Sequence, residues 1–226
     1  MGTVQIASRS SEPFEDRKHA GEQLSQELRK LRDRRAVVLG IPRGGIVIAR
    51  AIAAGLNADL DIVLSHKLGA PGNPELAIGA VFEDGTHFVN KMTASYAGAD
   101  ESYIRREKAI QLDRLTQRAE RYRQVLPKLT LNGRVVVVTD DGVATGASMQ
   151  AALWAVRKQK PDSLVLALPV GPEDTVTMLS QTADETVCLK APPDFQALSQ
   201  FYLRFGQVDD AQVLKILEQE AVRRAE

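Results

Sequence analysis

The chain has 226 residues, 44% hydrophobic and 26% charged, which suits a globule built as one α/β domain with an appendage or as two small domains. Lys and Arg balance Asp and Glu at 29 each, so a broad basic surface for nucleic acid or membrane is excluded while a local basic pocket is not. The single Cys188, inside TVCL, excludes an internal disulfide and a cysteine metal cluster, and it reads as a core thiol.

Residues 1 to about 12 are small and polar, and a loose arm is expected there. From Phe14 to Leu31 the apolar residues Ala20, Leu24, Leu28 and Leu31 recur at helical spacing. Asp16, Arg17 and His19 near the start of this helix could reach a site or simply form its solvated first turn. Ala36 to Ile41 is an apolar strand running into Pro42-Arg43-Gly44-Gly45, and Ile46 to Ala54 reads as a helix closed by Gly55. The paired glycines permit positive φ or close backbone approach. Arg43 offers a planar, bidentate cation for phosphate oxygens.

Asp61 to Ser65 reads as the next strand, placing His66 and Lys67 at its C-terminal end, where Lys67 can meet an anion in an open-sheet crevice. Leu68 to Leu76 is a Gly/Pro-rich loop with Glu75 as its one carboxylate. Ala77 to Glu83 and Thr86 to Asn90 form a hairpin around Asp84-Gly85. Asp100 to Leu126 is a long helix with an apolar stripe through Ile104, Leu112, Leu115, Ala119, Tyr122 and Leu126. Either packing on the domain or service as a lid or dimer arm would account for it.

Val135 to Val138 is a continuous apolar run, the mark of a strand buried on both faces of a parallel sheet. Asp140-Asp141 stands at its end. Gly142 to Ser148 is a loop of small and hydroxylic residues, and Met149 to Lys158 reads as a helix. In such a strand–loop–helix unit, unsatisfied N–H groups and the helix dipole favour phosphate, while Thr145 and Ser148 add hydroxyl donors. The two carboxylates suit sugar hydroxyls or a magnesium shell, or they merely cap a turn. Leu164 to Val170 is another buried strand, Glu173 to Gln181 a helix and Glu185 to Leu189 a short strand. The tail carries Phe195, Phe201, Tyr202 and Phe205, and Asp209 to Arg224 closes the chain as an amphipathic helix.

The segment VVVVTDDGVATGAS resembles the phosphoribosyl-pyrophosphate (PRPP) signature of type I phosphoribosyltransferases. With PRGG and HKLGAPGNPELAIGA it is similar to a subgroup of predicted phosphoribosyltransferases of unassigned acceptor. The resemblance covers roughly residues 36 to 170. It implies a doubly wound, mostly parallel α/β sheet with a hairpin, a helical insertion over 98–127 and a C-terminal hood. The division would be 1–35 arm and helix, 36–190 core and 191–226 hood and tail helix.

The resemblance further implies transfer of ribose 5-phosphate from PRPP to a base, with magnesium as cofactor. Asp140 and Asp141 would hold the ribose hydroxyls and metal. Ala144, Thr145, Gly146, Ala147 and Ser148 would wrap the 5-phosphate. Arg43, Gly44, Gly45 and Lys67 would take the pyrophosphate, with Lys67, Asp141 and Arg43 acting in catalysis. The segment 68–76 would be the flexible loop over the reacting centre, and the aromatic tail the hood that reads the acceptor.

Many members carry an acid where this chain has Ala144, so the usual proton chemistry at the acceptor does not carry over. A regulator binding PRPP or a nucleotide without turnover is the alternative, and an enzyme acting on a sugar phosphate is a further one. The expected partners are small molecules, with no nucleic acid or membrane and a possible homodimer. The absence of a signal-like or long apolar segment makes cytoplasmic localisation the expectation.

Overall fold

The computed structural model describes residues 2–225. Its elements are β1 (Thr3–Ser8), α1 (Arg17–Glu27), β2 (Val37–Gly40), α2 (Gly45–Leu56), β3 (Asp59–Ile62), β4 (Ser65–Ala70), β5 (Asn73–Phe82), β6 (His87–Val89) and α3 (Lys91–Tyr96). They continue with α4 (Glu101–Val125), β7 (Val135–Thr139), α5 (Ala147–Lys158), β8 (Ser163–Val170), α6 (Glu173–Ser180), β9 (Glu185–Lys190) and α7 (Asp210–Ala225). Six strands form a parallel sheet in the order β1-β9-β8-β7-β2-β3, and β4-β5-β6 form a separate antiparallel sheet.

The continuous apolar strands make sense because the main sheet is covered on both faces. Along β2 the side chains alternate: Val38 enters the layer built with α1, α2 and α7, while Val37 and Leu39 enter the layer built with α5 and α6. This is the doubly wound arrangement implied by the sequence. The second sheet is sandwiched in the same way. Leu68, Ile78 and Val81 pack with Leu115, Ala119 and Tyr122 of α4, whereas Ala80 and Phe82 pack with α5.

Several expectations are corrected. The N-terminal segment is not a loose arm: Thr3 to Ser8 pairs in parallel with β9 as the sheet's edge strand. Its side chains are mostly exposed, so it lacks the apolar signal of a buried strand. Helix α1 starts at Arg17 rather than Phe14, because Asp16 caps it by accepting from the His19 amide at 3.0 Å. Phe14 instead lies fully buried and bridges Tyr202. Helix α2 is closed by Asn57 in the left-handed region, not by Gly55, which faces Ser25 of α1 within the helix pair.

The strand expected over 61–65 is divided between β3 and β4, so Lys67 lies inside the second sheet rather than at the end of a parallel strand. The expected loop 68–76 is mostly ordered as the β4–β5 hairpin, turned at Pro71-Gly72 with Gly72 at φ 72°. The β5–β6 hairpin turns at Asp84-Gly85 as expected, with Asp84 accepting from the Thr86 amide at 2.9 Å.

The long helix α4 packs down. Arg123 reaches Asp61 at 2.6 Å and Glu83 at 2.8 Å, and the Tyr103 hydroxyl donates to the Gly69 carbonyl at 2.9 Å. The edge strand β3 is covered by α7. Glu220 accepts from the Leu60 amide at 3.2 Å, and Arg224 donates to the Leu60 carbonyl, replacing the bonds of a neighbouring strand.

Candidate active site

Strands β2 and β7 are neighbours, yet the chain leaves them in opposite directions. After β2 it passes PRGG into α2 on one face; after β7 it passes the acid pair and TGAS into α5 on the other. Strand order reverses between them, and the crevice at the C-terminal ends of such strands is where open α/β sheets bind ligands. Neither helix has a side-chain cap from its own N-cap residue or an acid in its first turn; the start of α2 meets the acid pair instead, and the start of α5 carries no carboxylate of its own.

PRGG and the acid pair touch. A β-carbon added at Gly45 would lie 2.8 Å from Asp140 Cα and Oδ1, and one at Gly44 would collide with the Asp141 carboxylate. Gly44 has ordinary helical dihedrals, φ −62° and ψ −42°, so closeness rather than positive φ requires the first of the pair. The Pro42–Arg43 peptide is cis. Arg43 is exposed and forms no ion pair or hydrogen bond among the described residues.

The two acids differ. Asp140 accepts from the Asp141 amide at 2.8 Å. Burial, and then the Asp141 charge, push its carboxyl well above the usual range; the Asp141 amide, Arg17 and the Gly45 amide offset only part of this. Asp141 is paired: its Oδ2 lies 2.8 Å from Arg17 Nε, with both side chains nearly buried. Its carbonyl accepts from the Tyr202 hydroxyl at 2.6 Å, and burial pushes that phenol up, so it stays a donor.

Arg17 also donates from Nη1 to the Gly206 carbonyl at 2.8 Å, and its guanidinium covers the Phe205 ring at 3.9 Å. Phe205 stacks on Tyr202 at 4.9 Å, and Phe195 stacks on Phe201 at 5.3 Å. Backbone bonds tie this tail to the N-terminal segment: Phe14 N to Phe201 O at 2.8 Å, Leu203 N to Phe14 O at 2.8 Å and Arg204 N to Glu15 O at 2.9 Å.

In the loop before α5, Ala144, Thr145 and Ser148 are exposed. The Ala144 carbonyl accepts from the Thr175 hydroxyl at 2.9 Å, which fastens the loop to α6. Gly146 adopts φ 75°, and a β-carbon there would lie 2.9 Å from Thr175 Cγ2. Its missing side chain therefore faces α6, not the crevice. Gly142 likewise makes room for Leu198 of the tail.

Lys67 lies on the face of β4 opposite Ala80, which packs on α5, and its ammonium pairs with Glu75 at 2.7 Å. His66 points to the other face. Burial, with the positive charges of Arg118, Arg114 and Lys67, holds it below the usual histidine range. It is a weak base beneath α4, remote in chemistry from the acid pair. His19 accepts from the Glu15 amide and Asp16 is the α1 cap, so of the three polar residues on that first turn only Arg17 reaches the acids. Sequence reasoning did not find the Gly206 carbonyl or the Tyr202–Asp141 bond, because backbone acceptors carry no residue signature.

The chain resembles known proteins along most of its length. Two Mycobacterium tuberculosis proteins, MT0597 and Rv0571c, are each 42% identical over 205 residues, 91% of this chain and 46% of their own. Their names place them provisionally among the phosphoribosyl transferases, and the chain spans about half their length. The crystal structure of TT1426 from Thermus thermophilus superposes with a TM-score of 0.87 at 49% identity, covering 92% of this chain and 98% of that one. The model of the phosphoribosyl transferase domain matches residues 13–205, wider than the 36–170 span read from the motifs, and the chain belongs to that family.

Proposed function

We propose that the chain transfers the phosphoribosyl group of PRPP to an acceptor, a nitrogenous base, and releases pyrophosphate. The observation that carries this is the crevice: the starts of α2 and α5 on opposite faces of the sheet, with an acid pair at the end of β7 packed against the α2 start. PRPP has phosphate at both ends and a vicinal diol between. In this reading the loop Ala144 to Ser148 and the start of α5 hold the 5-phosphate. Asp140 and Asp141 accept from the ribose hydroxyls. The Gly44 amide, Arg43 and Lys67 hold the pyrophosphate, with Gly45 bringing the loop against Asp140, as the C1–O bond breaks and the acceptor's lone pair closes on C1.

The donor set suits magnesium that arrives with the substrate. Among the described residues no cluster of three or more His, Cys, Asp or Glu could cage an ion, whereas magnesium commonly uses one or two carboxylates plus substrate phosphates. One oxygen of each acid, Asp140 Oδ2 and Asp141 Oδ1, is left for that task. The ion would supply charge neutralisation on the departing pyrophosphate.

A second reading, a regulator that binds PRPP without turnover, is favoured by Ala144, which leaves the loop without a carboxylate next to the acceptor. Calorimetry with PRPP and magnesium, followed by pyrophosphate release against a panel of bases, separates the two. Release with some base supports the transferase, and tight binding with release for none supports the regulator. Absence of PRPP binding ends both. Within this test, Arg43→Ala should weaken PRPP by about 10- to 100-fold and leave ribose 5-phosphate unchanged, the scale of one charge-assisted hydrogen bond. Equal losses would put Arg43 at the wrong end of the site.

A further inference from the structure

We propose that the hollow at the N-terminal ends of β2, β3 and β7 is a second anion site, suited to a diphosphate group and separate from the crevice. It does not depend on the phosphoribosyl reading.

The hollow measures about 810 Å³, and Arg34, Arg35, Asn57, Asp59, Arg134 and Asp162 line it. Arg35 precedes β2 and Arg134 precedes β7. The hollow therefore lies at the opposite end of the two strands that carry PRGG and the acid pair, and it shares no residue with the crevice.

The three guanidinium groups are used unequally. Arg134 donates from Nη2 to Asp59 Oδ2 and to the Arg35 carbonyl, each at 2.6 Å, so it is held in place and its charge is met. Asp59 also pairs with Arg223 at 3.3 Å. The Arg34 and Arg35 side chains are exposed and form no ion pair or hydrogen bond among the described residues. Against these two cations stands Asp162 alone, so the lining keeps a surplus of positive charge. Guanidinium forks match phosphate oxygens bidentately.

The backbone singles out the same place. Asp33, Arg35, Asn57 and Lys160 are the non-glycine residues with positive φ among the described residues. Arg35 and Asn57, each at φ 52°, line the hollow. Asp33 accepts from the Asn57 side-chain amide at 2.9 Å, and the Lys160 carbonyl accepts from the amide of Gly133, also in the lining, at 3.2 Å. Asn and Asp adopt this conformation readily, whereas Arg and Lys do not. Glycine would sit at position 35 without strain. A strained position that holds an unspent cation instead marks a ligand site.

No aromatic ring lines the hollow, so charge rather than stacking holds the ligand there. Asn57 also lines an adjoining hollow of about 320 Å³, whose apolar lining includes Ala53, Ala54, Leu60 and Ile216. The diphosphate arrives either free, as pyrophosphate, or on a nucleoside whose base enters that second hollow.

Calorimetry with pyrophosphate and with ADP tests this. Arg34→Gln combined with Arg35→Asn removes both charges and puts at position 35 a residue that tolerates positive φ. The double variant should weaken one pyrophosphate site at least about tenfold, the scale of one charged hydrogen bond, and leave ribose 5-phosphate affinity unchanged. Arg34→Gln alone leaves the bend at Arg35 untouched; it should weaken the same site, and it serves if the double variant melts early. At the site lost in the variant, ADP binding tighter than pyrophosphate assigns the nucleoside source, and equal or weaker binding assigns free pyrophosphate. Unchanged pyrophosphate binding in both variants overturns the inference, whatever the crevice binds. A parallel loss of ribose 5-phosphate affinity overturns it too, because the substitutions would then act through the whole fold.

Discussion

Asp140 and Asp141 are adjacent in sequence but differ in their surroundings. Asp141 is ion-paired with Arg17, whereas Asp140 carries burial and a neighbouring negative charge that the more distant Arg17 offsets only in part. A carboxyl whose folded pKa is raised contributes stability below its unfolded pKa and loses it as pH rises through the folded value. The window for Asp140 therefore opens near its ordinary value of 3.8 and extends upward. Asp140→Asn should melt higher than wild type at pH 8, with the gain shrinking to nothing near pH 4, as followed by thermal melts across that range. Asp141→Ala should instead lose about 3 kcal/mol at neutral pH, because a nearly buried guanidinium is left unpaired. A uniform effect of Asp140→Asn across pH would refute the assignment of charge. Sequence alone presented the pair as two equal acids; what separates them is Arg17, 124 positions away, which helical periodicity could place on α1 but not against Asp141.

The elements legible in the sequence were those whose burial is written in their pattern. The VVVV run of β7, the LVLAL run of β8 and the Asp84-Gly85 hairpin stand where the pattern put them. Strand β1 did not announce itself, because, of its apolar side chains, Ile6 alone packs inward and the rest has the composition of a tail. The β4–β5 hairpin was hidden by Pro71 and Gly72, which mark a loop as readily as a two-residue turn. The α7 pattern gave a helix but not its task. Glu220, 6% exposed, accepts from the Leu60 amide and from Arg223 and Arg224. Glu220→Ala should leave that amide and two guanidinium groups short of an acceptor and cost about 2–4 kcal/mol in a denaturant melt. Since α7 covers β3, on the far side of β2 from the acid pair, PRPP affinity should not change; a parallel loss of affinity would mean that the edge and the crevice are coupled.

Across the whole molecule, the crevice lies between the two apolar layers that the main sheet separates. The loop before α2 belongs to one layer and the loop before α5 to the other, so a ligand with two phosphate ends ties both to β2 and β7. Ribose 5-phosphate, in the proposed pose, engages only the α5 side. Binding to the native state raises stability by about 2.7 kcal/mol at a ligand concentration of 100 Kd, which for a chain of this size is about 5–10 °C in Tm. PRPP with magnesium, at that concentration relative to its own Kd, should reach this shift. Ribose 5-phosphate at the same absolute concentration should fall short of it, since it lacks the bonds to PRGG. Chelating magnesium should reduce the PRPP shift and leave the ribose 5-phosphate shift alone, because only the pyrophosphate needs its charge neutralised. Thermal melts of one preparation with the two ligands, with and without chelator, measure all four quantities. Identical shifts for both ligands at one concentration would mean that the α2 side of the crevice holds no phosphate, and the two-ended reading of the site would fall.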